Sequence, residues 1–171
     1  GETDLQILHE AVVARCDLND GVKDGLIGDP RTCKFDPAEV SCERGRQGRC
    51  LSGEKAAAAK RIYEGPTTST GEKIAKGGLM PGAEHGAFAL VGNEGVAAGL
   101  AREFFRYLAF LPDAGALWQP SDFNFDRDYK RLGMMEALYA SNNPDLRKFK
   151  ARGGKLILSQ GWHDGGLPLV F

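Results

Sequence analysis

The chain has 171 residues, of which 42% are hydrophobic and 26% are charged, and its 22 basic and 23 acidic residues leave a net charge of -1. This length suits one domain with a real core, or one domain and part of another. The balanced charge, without a basic stripe of interleaved aromatic residues, argues against nucleic-acid binding, and no apolar run approaches the ~20 residues of a membrane span.

Three elements are predicted in the first half of the chain. Apolar residues at helical spacing predict a helix over residues 4–15. After a long cysteine-rich loop, Ser52 can cap a second helix through EKAAAAKRIYEG, which a Gly-Pro pair ends. Residues 66–84 are rich in Thr, Gly and Lys and predict a hairpin that turns near Gly71, with a weak strand on each side.

The second half is predicted to be helical until a final strand. A helical period resumes over residues 94–111, and Asp126 is expected to cap a helix that ends at the Asn-Asn-Pro sequence. Asp145 is expected to start a short helix closed by two glycines. The run KLILSQG at 155–161 is typical of a buried parallel strand. Because such a strand has no partner here, its sheet is expected to lie mostly outside this chain.

Four cysteines lie in the first third of the chain: Cys16, Cys33, Cys42 and Cys50. Their even number predicts two disulfides and an oxidising compartment, so the protein is expected to be secreted or periplasmic. Four cysteines allow three pairings. A zinc site is the alternative, but no Cys-x-x-Cys pair occurs and no histidine lies among the cysteines, so disulfides are favoured.

The segment CDLNDGVKDGLIGD at 16–29 is an acidic loop that predicts a cation site. Calcium binds six to eight oxygen atoms from carboxylates, backbone carbonyls and water, and the glycines let the backbone curl so that carbonyls point inward. An EF-hand does not fit, because its required glycine falls on Val22 and its twelfth residue is Gly28. A solvent-exposed cluster of turns is the alternative. The predicted ligands are the carboxylates of Asp17, Asp20 and Asp24 and the backbone carbonyls of Val22 and Leu26.

Two long motifs are specific enough to compare with known families. One is CDLNDGVKDGLIGDPRTCKFDP with the cysteines that follow it, and the other is FNFDRDYKRLGMMEALYASNNPDLRKFKARGGKLILSQGWHD. The first resembles the lid region of the tannase/feruloyl esterase family, and the second resembles that family's passage from the lid back into the hydrolase core. Together they bracket nearly the whole chain, while residues 66–120 match more loosely.

The resemblance implies a fold class and a division of the chain. The fold would be an α/β-hydrolase fragment, mostly the α+β lid domain with a calcium loop, ending in one core β-strand. The lid domain would occupy residues 1–152, with the calcium loop at 16–29 and a disulfide-rich part at 16–50. Residues 153–171 would start the C-terminal part of the hydrolase core.

The resemblance also implies a metal cofactor, a disulfide pairing and a set of catalytic residues. A structural Ca²⁺ would bind the five ligands predicted above, and the disulfides would be Cys16–Cys33 and Cys42–Cys50. The family uses a Ser-His-Asp triad whose acid follows a core strand, and KLILSQGWHD places Asp164 there, with a surface-turn aspartate as the alternative. His163 is adjacent but faces the other side of an extended segment, so it is given no role. His9 and His85 are assigned none either.

No G-x-S-x-G nucleophile segment occurs, so the Ser and His are expected outside this chain, which alone is expected to be inactive. The predicted function is thus part of a secreted serine hydrolase of the feruloyl esterase/tannase type. Its partners would be the remainder of the hydrolase polypeptide and an aromatic-acid ester. The alternative is a calcium-stabilised extracellular binding or adhesion module without catalysis.

Five residues are weighed for substrate contact. Trp118, Phe123 and Phe125 are candidates for an apolar wall around the aromatic acid, with core packing as the alternative. Arg102 and Arg106 could face an anionic substrate, although a solvated helix face is preferred.

Overall fold

The computed structural model describes residues 1–44, 48–75, 77–85, 96–139, 143–162 and 164. The chain divides into two compact units, Gly1–Gly99 with Gly161–Phe171, and Leu100–Gln160. The α-helices among the described residues are α1 (Glu2–Cys16), α2 (Gly53–Glu64), α3 (Val96–Tyr107), α4 (Asp128–Arg131), α5 (Gly133–Tyr139) and α6 (Arg147–Ala151). None of these helices is long and apolar enough to span a bilayer. His163 lies outside the described residues.

The core of the first unit lies between α1, α2 and the cysteine-rich segment that joins them. The helix predicted over residues 4–15 is confirmed and runs over Glu2–Cys16. The side chains buried together in this core are Ile7, Leu8, Val40, Leu51, Ala56 and Ala59, with Ala11 and Phe35 packed against them. Each buried leucine, isoleucine or valine contributes roughly 1.5–3 kcal/mol, because its surface is removed from water. This packing holds the end of α1, where the acidic loop begins.

Helix α2 begins and ends as its sequence predicts. The Ser52 hydroxyl accepts a hydrogen bond from the backbone N–H of Lys55 at 3.4 Å. Gly65 ends the helix with a φ of 79°, a conformation that favours glycine. A Cβ on Gly78 would overlap the carbonyl oxygen of Ile62, so glycine is required where the next segment crosses the end of α2.

The four cysteines form two disulfides, Cys16–Cys33 and Cys42–Cys50, in the pairing that the resemblance implies. No cysteine is free, so the zinc alternative is wrong. Cys16 and Cys33 are buried with Val12 in a second small core. The first disulfide links residues 17 positions apart, and a loop of this length contributes about 3 kcal/mol by restricting the unfolded chain.

The predicted hairpin near Gly71 is a turn without strands. The N–H of Gly71 donates to the carbonyl oxygen of Thr68 at 3.0 Å, and Gly71 has a φ of 84°. A single antiparallel bridge joins Thr67 to Lys73. The turn is confirmed, but its flanks are too short to extend the ladder beyond one bridge.

The helix predicted from Asp126 is wrong at its start and is interrupted. The Asn124 side chain, rather than that of Asp126, accepts from the N–H groups of Asp126 and Arg127 at 2.9 and 3.1 Å. The first helix, α4, covers only Asp128–Arg131, and α5 begins at Gly133. The break falls at Leu132, directly before Gly133, and glycine is a weak helix former.

Buried Asp128 fastens the start of α4. Its carboxylate accepts from Arg127 Nε at 2.7 Å, from Arg131 Nη1 at 3.1 Å and from the N–H of Asn124 at 2.9 Å. Hydrogen bonds from Arg127 are the main reason that the pKa of Asp128 lies well below its usual range. The Arg131 guanidinium also lies 4.3 Å from the ring centroid of Phe110, so α4 is held against the apolar part of the second unit.

The short helix α6 begins two residues later than predicted. The Asp145 carboxylate accepts from the backbone N–H of Arg147 at 3.1 Å and from its Nε and Nη2 atoms at 2.8 and 2.7 Å. The predicted glycine ending is confirmed by Gly153, with a φ of 78°. Asp145 thus caps the helix from outside rather than starting it.

The run KLILSQG forms no strand in this structure, and no strand forms elsewhere among the described residues. Ile157 and Leu158 are 94% and 85% exposed. A strand needs a neighbour to accept and donate its backbone hydrogen bonds, and the described part of the chain offers none. The described residues are therefore mostly helical, and the predicted core strand and the strands of an α+β lid are not formed among them.

Candidate functional site

Asp17 organises the acidic loop. It follows α1 directly and is buried, and its Oδ1 accepts hydrogen bonds from the backbone N–H groups of Asp24 and Gly25 at 3.1 and 2.9 Å. Gly25 has a φ of 78°, which lets the backbone turn toward that oxygen. One carboxylate thus closes the loop on itself.

Asp20 and Asp24 each form a tight side-chain turn. Their Oδ1 atoms accept from the N–H two residues later, in Val22 and Leu26, at 3.0 Å each. The side chains of Val22 and Leu26 are 56% and 66% exposed, so they turn toward solvent. Within the part of the chain that the structure describes, none of the three predicted carboxylate ligands forms an ion pair. The loop therefore concentrates negative charge that no described side chain neutralises.

The loop has the donor chemistry of a calcium site but not a closed set of side-chain ligands. Among the described residues, no three His, Cys, Asp or Glu side chains are grouped so as to hold a metal ion. Its oxygen donors are of the hard type that Ca²⁺ prefers, and backbone carbonyls supply part of such sites. The residues fit the ion by type, and coordination would need oxygen atoms beyond the three carboxylates.

Asp164 lies in a turn near the end of the described chain. Its N–H donates to the carbonyl oxygen of Gly161 at 3.2 Å, and the residue is half-buried. Trp162 lies in the same turn, with its ring centroid 5.1 Å from the guanidinium carbon of Arg31. The sequence did not predict this contact, because its partners lie at opposite ends of the chain.

Phe105 on α3 is the centre of an aromatic cluster that contains the predicted wall residues. Its ring stacks on Trp118 with centroids 5.2 Å apart and meets Phe123 edge-on at 5.2 Å. Phe123 in turn contacts Phe125 at 5.0 Å. The structure therefore brings Trp118, Phe123 and Phe125 together. The first two pack against Phe105, while Phe125 is 49% exposed at the edge of the cluster.

Arg102 and Arg106 both lie beside Glu103. Arg102 Nε is 3.6 Å from Glu103 Oε1, and Arg106 Nη1 donates to the same oxygen at 3.0 Å. Arg106 Nε also donates to the carbonyl oxygen of Trp118 at 3.0 Å, and its side chain is only 17% exposed. The predicted solvated face is therefore wrong for Arg106, which fastens the Trp118 segment to α3.

A buried carboxylate that sequence reasoning missed joins three segments of the first unit. Glu84 is fully buried. Its Oε1 accepts from the Tyr63 hydroxyl and from the N–H of Gly82, both at 2.8 Å. Its Oε2 lies 2.9 Å from Nδ1 of His9. A carboxylate only accepts hydrogen bonds, so His9 carries its proton on Nδ1 in this contact.

The histidines that were assigned no role thus belong to this cluster. The rings of His9 and His85 have centroids 4.1 Å apart. Burial, followed by the negative charge of Glu84, raises the pKa of Tyr63 far above its usual range, so its hydroxyl stays protonated and donates. No local motif marks these residues, since His9 and Glu84 are 75 positions apart.

A cavity of about 340 Å³ in the first unit is lined by alanines and a glycine together with the polar residues Asp36, Ser41, Glu43 and Lys60. None of its lining residues is one that the sequence predicted for the site. The acidic loop, the Asp164 turn and the aromatic cluster remain the candidate functional features.

Comparisons with known proteins agree on one family. A family model described as tannase and feruloyl esterase matches residues 2–169. An uncharacterised esterase of Xanthomonas campestris pv. campestris is 31% identical, over 96% of this chain and 31% of that protein. Probable feruloyl esterase B-2 of Aspergillus flavus is 29% identical, over 93% of this chain and 29% of that protein. Mono(2-hydroxyethyl) terephthalate hydrolase of Piscinibacter sakaiensis is 25% identical, over 99% of this chain and 35% of that protein. The chain spans about a third of the length of these relatives.

Solved structures agree on the fold. The crystal structure of feruloyl esterase B from Aspergillus oryzae superposes with a TM-score of 0.83 at 22% identity, over 99% of this chain and 34% of that one. A second esterase from the same organism gives a TM-score of 0.71 at 22% identity, over 90% of this chain and 30% of that one. At this identity the likeness establishes the shared fold alone.

Proposed function

Because the chain belongs to the tannase and feruloyl esterase family, we propose that it is part of a secreted serine carboxylic-ester hydrolase acting on esters of aromatic acids. The observation that carries the proposal is the family match over residues 2–169, which includes both the acidic loop and the Asp164 turn. The same match favours this function over a free-standing binding module. The two disulfides support an oxidising, extracellular or periplasmic location.

In the proposed mechanism Asp164 is the acid of a Ser-His-Asp triad whose Ser and His lie in the remainder of the hydrolase polypeptide. Asp164 accepts a hydrogen bond from Nδ1–H of the His and stabilises the imidazolium that forms when the His takes the proton of the Ser. The Ser oxygen attacks the ester carbonyl carbon, and the His returns the proton to the leaving alcohol. Water then releases the aromatic acid by the same steps.

We place most of the chain, residues 1–152, in a lid, and residues 153–171 at the start of the C-terminal part of the core. The exposed apolar side chains of Ile157 and Leu158 support this division. An apolar run without a strand partner gains both burial and hydrogen bonds when it joins a sheet. The relatives, about three times as long as this chain, have the additional residues that such a sheet needs.

The aromatic cluster is proposed to supply the apolar wall against the aromatic acid. Trp118 and Phe123 are already packed against Phe105, so their main role is to hold the cluster together. Phe125 has one ring contact inside the cluster and remains half exposed. Phe125 is therefore the wall residue with surface left for a substrate ring.

The first prediction compares two esters in the full-length protein. We expect kcat/KM for methyl ferulate to exceed that for methyl butyrate by about 10-fold or more, because an aromatic wall contacts only the first substrate. Phe125→Ala should lower the ratio of the two values. Steady-state hydrolysis of both esters, by the wild-type protein and by the variant, measures this ratio.

Leu138→Ala is the matched control, since Leu138 is an exposed apolar side chain on α5 in the same unit. It should leave the ratio unchanged. Equal kcat/KM for the two esters in the wild-type protein would contradict the aromatic-ester proposal.

We also propose that the acidic loop binds a structural Ca²⁺ through Asp17, Asp20 and Asp24 and the carbonyls of Val22 and Leu26. Each carboxylate uses Oδ1 for a backbone N–H, and the described residues give its Oδ2 no hydrogen bond. A divalent cation would neutralise the charge that no side chain compensates. This proposal concerns stability rather than the reaction.

The second prediction is that calcium raises the melting temperature. At a free concentration 100 times Kd, binding adds about 2.7 kcal/mol of stability, which corresponds to about 5–10 °C for a protein of this size. Thermal melting in calcium and then in EGTA measures the shift. Asp24→Asn should reduce it.

Asp113→Asn provides the control, because Asp113 is an exposed aspartate outside the loop. It should leave the calcium shift intact. An identical melting temperature in calcium and in EGTA would show that the loop is a solvated cluster of turns instead.

A further inference from the structure

Arg31 is held in a fixed direction by its own short turn. It lies in the single turn of 3-10 helix Pro30–Thr32, in which Pro30 is buried. The Asp29 carboxylate accepts from the backbone N–H of Arg31 at 3.0 Å and from its Nε and Nη2 atoms at 2.8 Å each. Two parallel hydrogen bonds fix a planar guanidinium more tightly than a single contact does. The next residue but one, Cys33, is bridged to the end of α1.

This oriented guanidinium reaches the turn that contains Asp164. Its central carbon lies 5.1 Å from the ring centroid of Trp162, within the range of a cation–π interaction, and tryptophan is the best ring partner for a cation. Trp162 sits inside the turn closed by the hydrogen bond from Asp164 N–H to Gly161 O. A contact that fixes the indole ring therefore restricts the backbone on which Asp164 is carried.

The segment that leads into this turn is exposed. Residues 155–161 are exposed and form no strand, so in this structure the backbone before the turn is not held by a sheet. Trp162 and Asp164, by contrast, are half-buried. Placement of a triad acid matters, because a displacement of about 1 Å at a catalytic group costs on the order of 100-fold in rate.

We propose that Arg31 is a positioning residue for Asp164, acting through the face of Trp162. The inference rests on the proposed role of Asp164 as the triad acid. Through the cation–π contact between Arg31 and Trp162, the disulfide-bonded acidic region would influence the proposed triad acid. The Asp29–Arg31 pair fixes the guanidinium, the guanidinium fixes the indole, and the indole fixes the turn.

The test measures kcat and KM of the full-length protein for methyl ferulate. Arg31→Ala is expected to lower kcat about 10- to 100-fold, with little change in KM. In an Asp164→Asn background the same change should have no further effect on kcat, because the group that Arg31 positions is already lost. Trp162→Ala should repeat the loss and Trp162→Phe should largely restore kcat, since phenylalanine keeps an aromatic face.

Arg147→Ala is the matched control, because Arg147 forms the same two side-chain hydrogen bonds to Asp145 at 2.8 and 2.7 Å. No ring contact of Arg147 occurs among the described residues. It should leave kcat unchanged. If Arg31→Ala melts below the assay temperature, Arg31→Lys takes its place, since lysine keeps the charge but loses the planar fork.

Two outcomes separate the two proposals. An equal loss of kcat from Arg31→Ala in the wild-type and Asp164→Asn backgrounds would overturn the positioning role, because Arg31 would then act independently of Asp164. A normal kcat for Asp164→Asn alone would instead overturn the proposed role of Asp164 as the triad acid, and a wild-type protein that does not hydrolyse methyl ferulate would overturn the proposed function.

Discussion

Replacing Asp164 by asparagine is expected to lower kcat for methyl ferulate by about 10³- to 10⁴-fold in the full-length protein, while KM changes little. The asparagine keeps the size of the side chain but removes the charge that stabilises the imidazolium, and its amide can hold the His in the wrong tautomer. The loss therefore falls on the chemical step rather than on substrate binding. Steady-state kinetics with the purified variant measures it.

Asp113→Asn serves as the control for Asp164→Asn, since it makes the same chemical change at an exposed aspartate of the second unit. Its kcat should equal that of the wild-type protein. A loss of less than about 10-fold for Asp164→Asn, far below the effect of removing a triad member, would assign Asp164 to a surface turn.

Replacing Glu84 by alanine is expected to cost about 3–5 kcal/mol of unfolding free energy, because three hydrogen bonds to one buried acceptor are lost. The change leaves the hydroxyl of Tyr63, the N–H of Gly82 and Nδ1 of His9 without their acceptor. Glu84→Gln should cost less, about 1–2 kcal/mol, because the amide oxygen can still accept from Tyr63 and Gly82. Urea unfolding followed by circular dichroism measures both values.

Glu64→Ala is the matched control for Glu84→Ala. Glu64 is more than half exposed, and its contact with Lys60 is 4.0 Å long. Its removal should change stability by less than about 0.5 kcal/mol. If Glu84→Ala unfolds at the same urea concentration as Glu64→Ala, the buried cluster does not hold the three segments together. Glu84→Gln decides the question if the alanine variant does not fold.

The features that the sequence predicted correctly depend on neighbouring residues. Ser52 caps α2 and Gly153 ends α6, because caps are made by side chains and glycines within a few positions of the helix end. Where two local partners compete, prediction fails. Asn124, two residues before Asp126, accepts from the N–H groups of Asp126 and Arg127, and the helix begins only at Asp128.

The candidate site also has features that depend on nearby residues and features that depend on tertiary packing. The two motifs pointed to the family, and through that resemblance to the two disulfide pairs. The exposed state of KLILSQG could not be read from its apolar pattern, because a strand exists only when another strand supplies its hydrogen bonds. The role of Phe105 in gathering Trp118 and Phe123 likewise depends on how separate segments pack.

By itself, then, the sequence determined helices α1 and α2, the acidic loop and the family of this chain, since each depends on a short stretch of residues. Only the tertiary structure decided that Glu84 is buried against His9 and Tyr63 and that Arg31 meets Trp162. These contacts join residues far apart in the chain. Their energy comes from burial, from hydrogen bonds and from a cation–π contact, which form only once the separate segments have packed together.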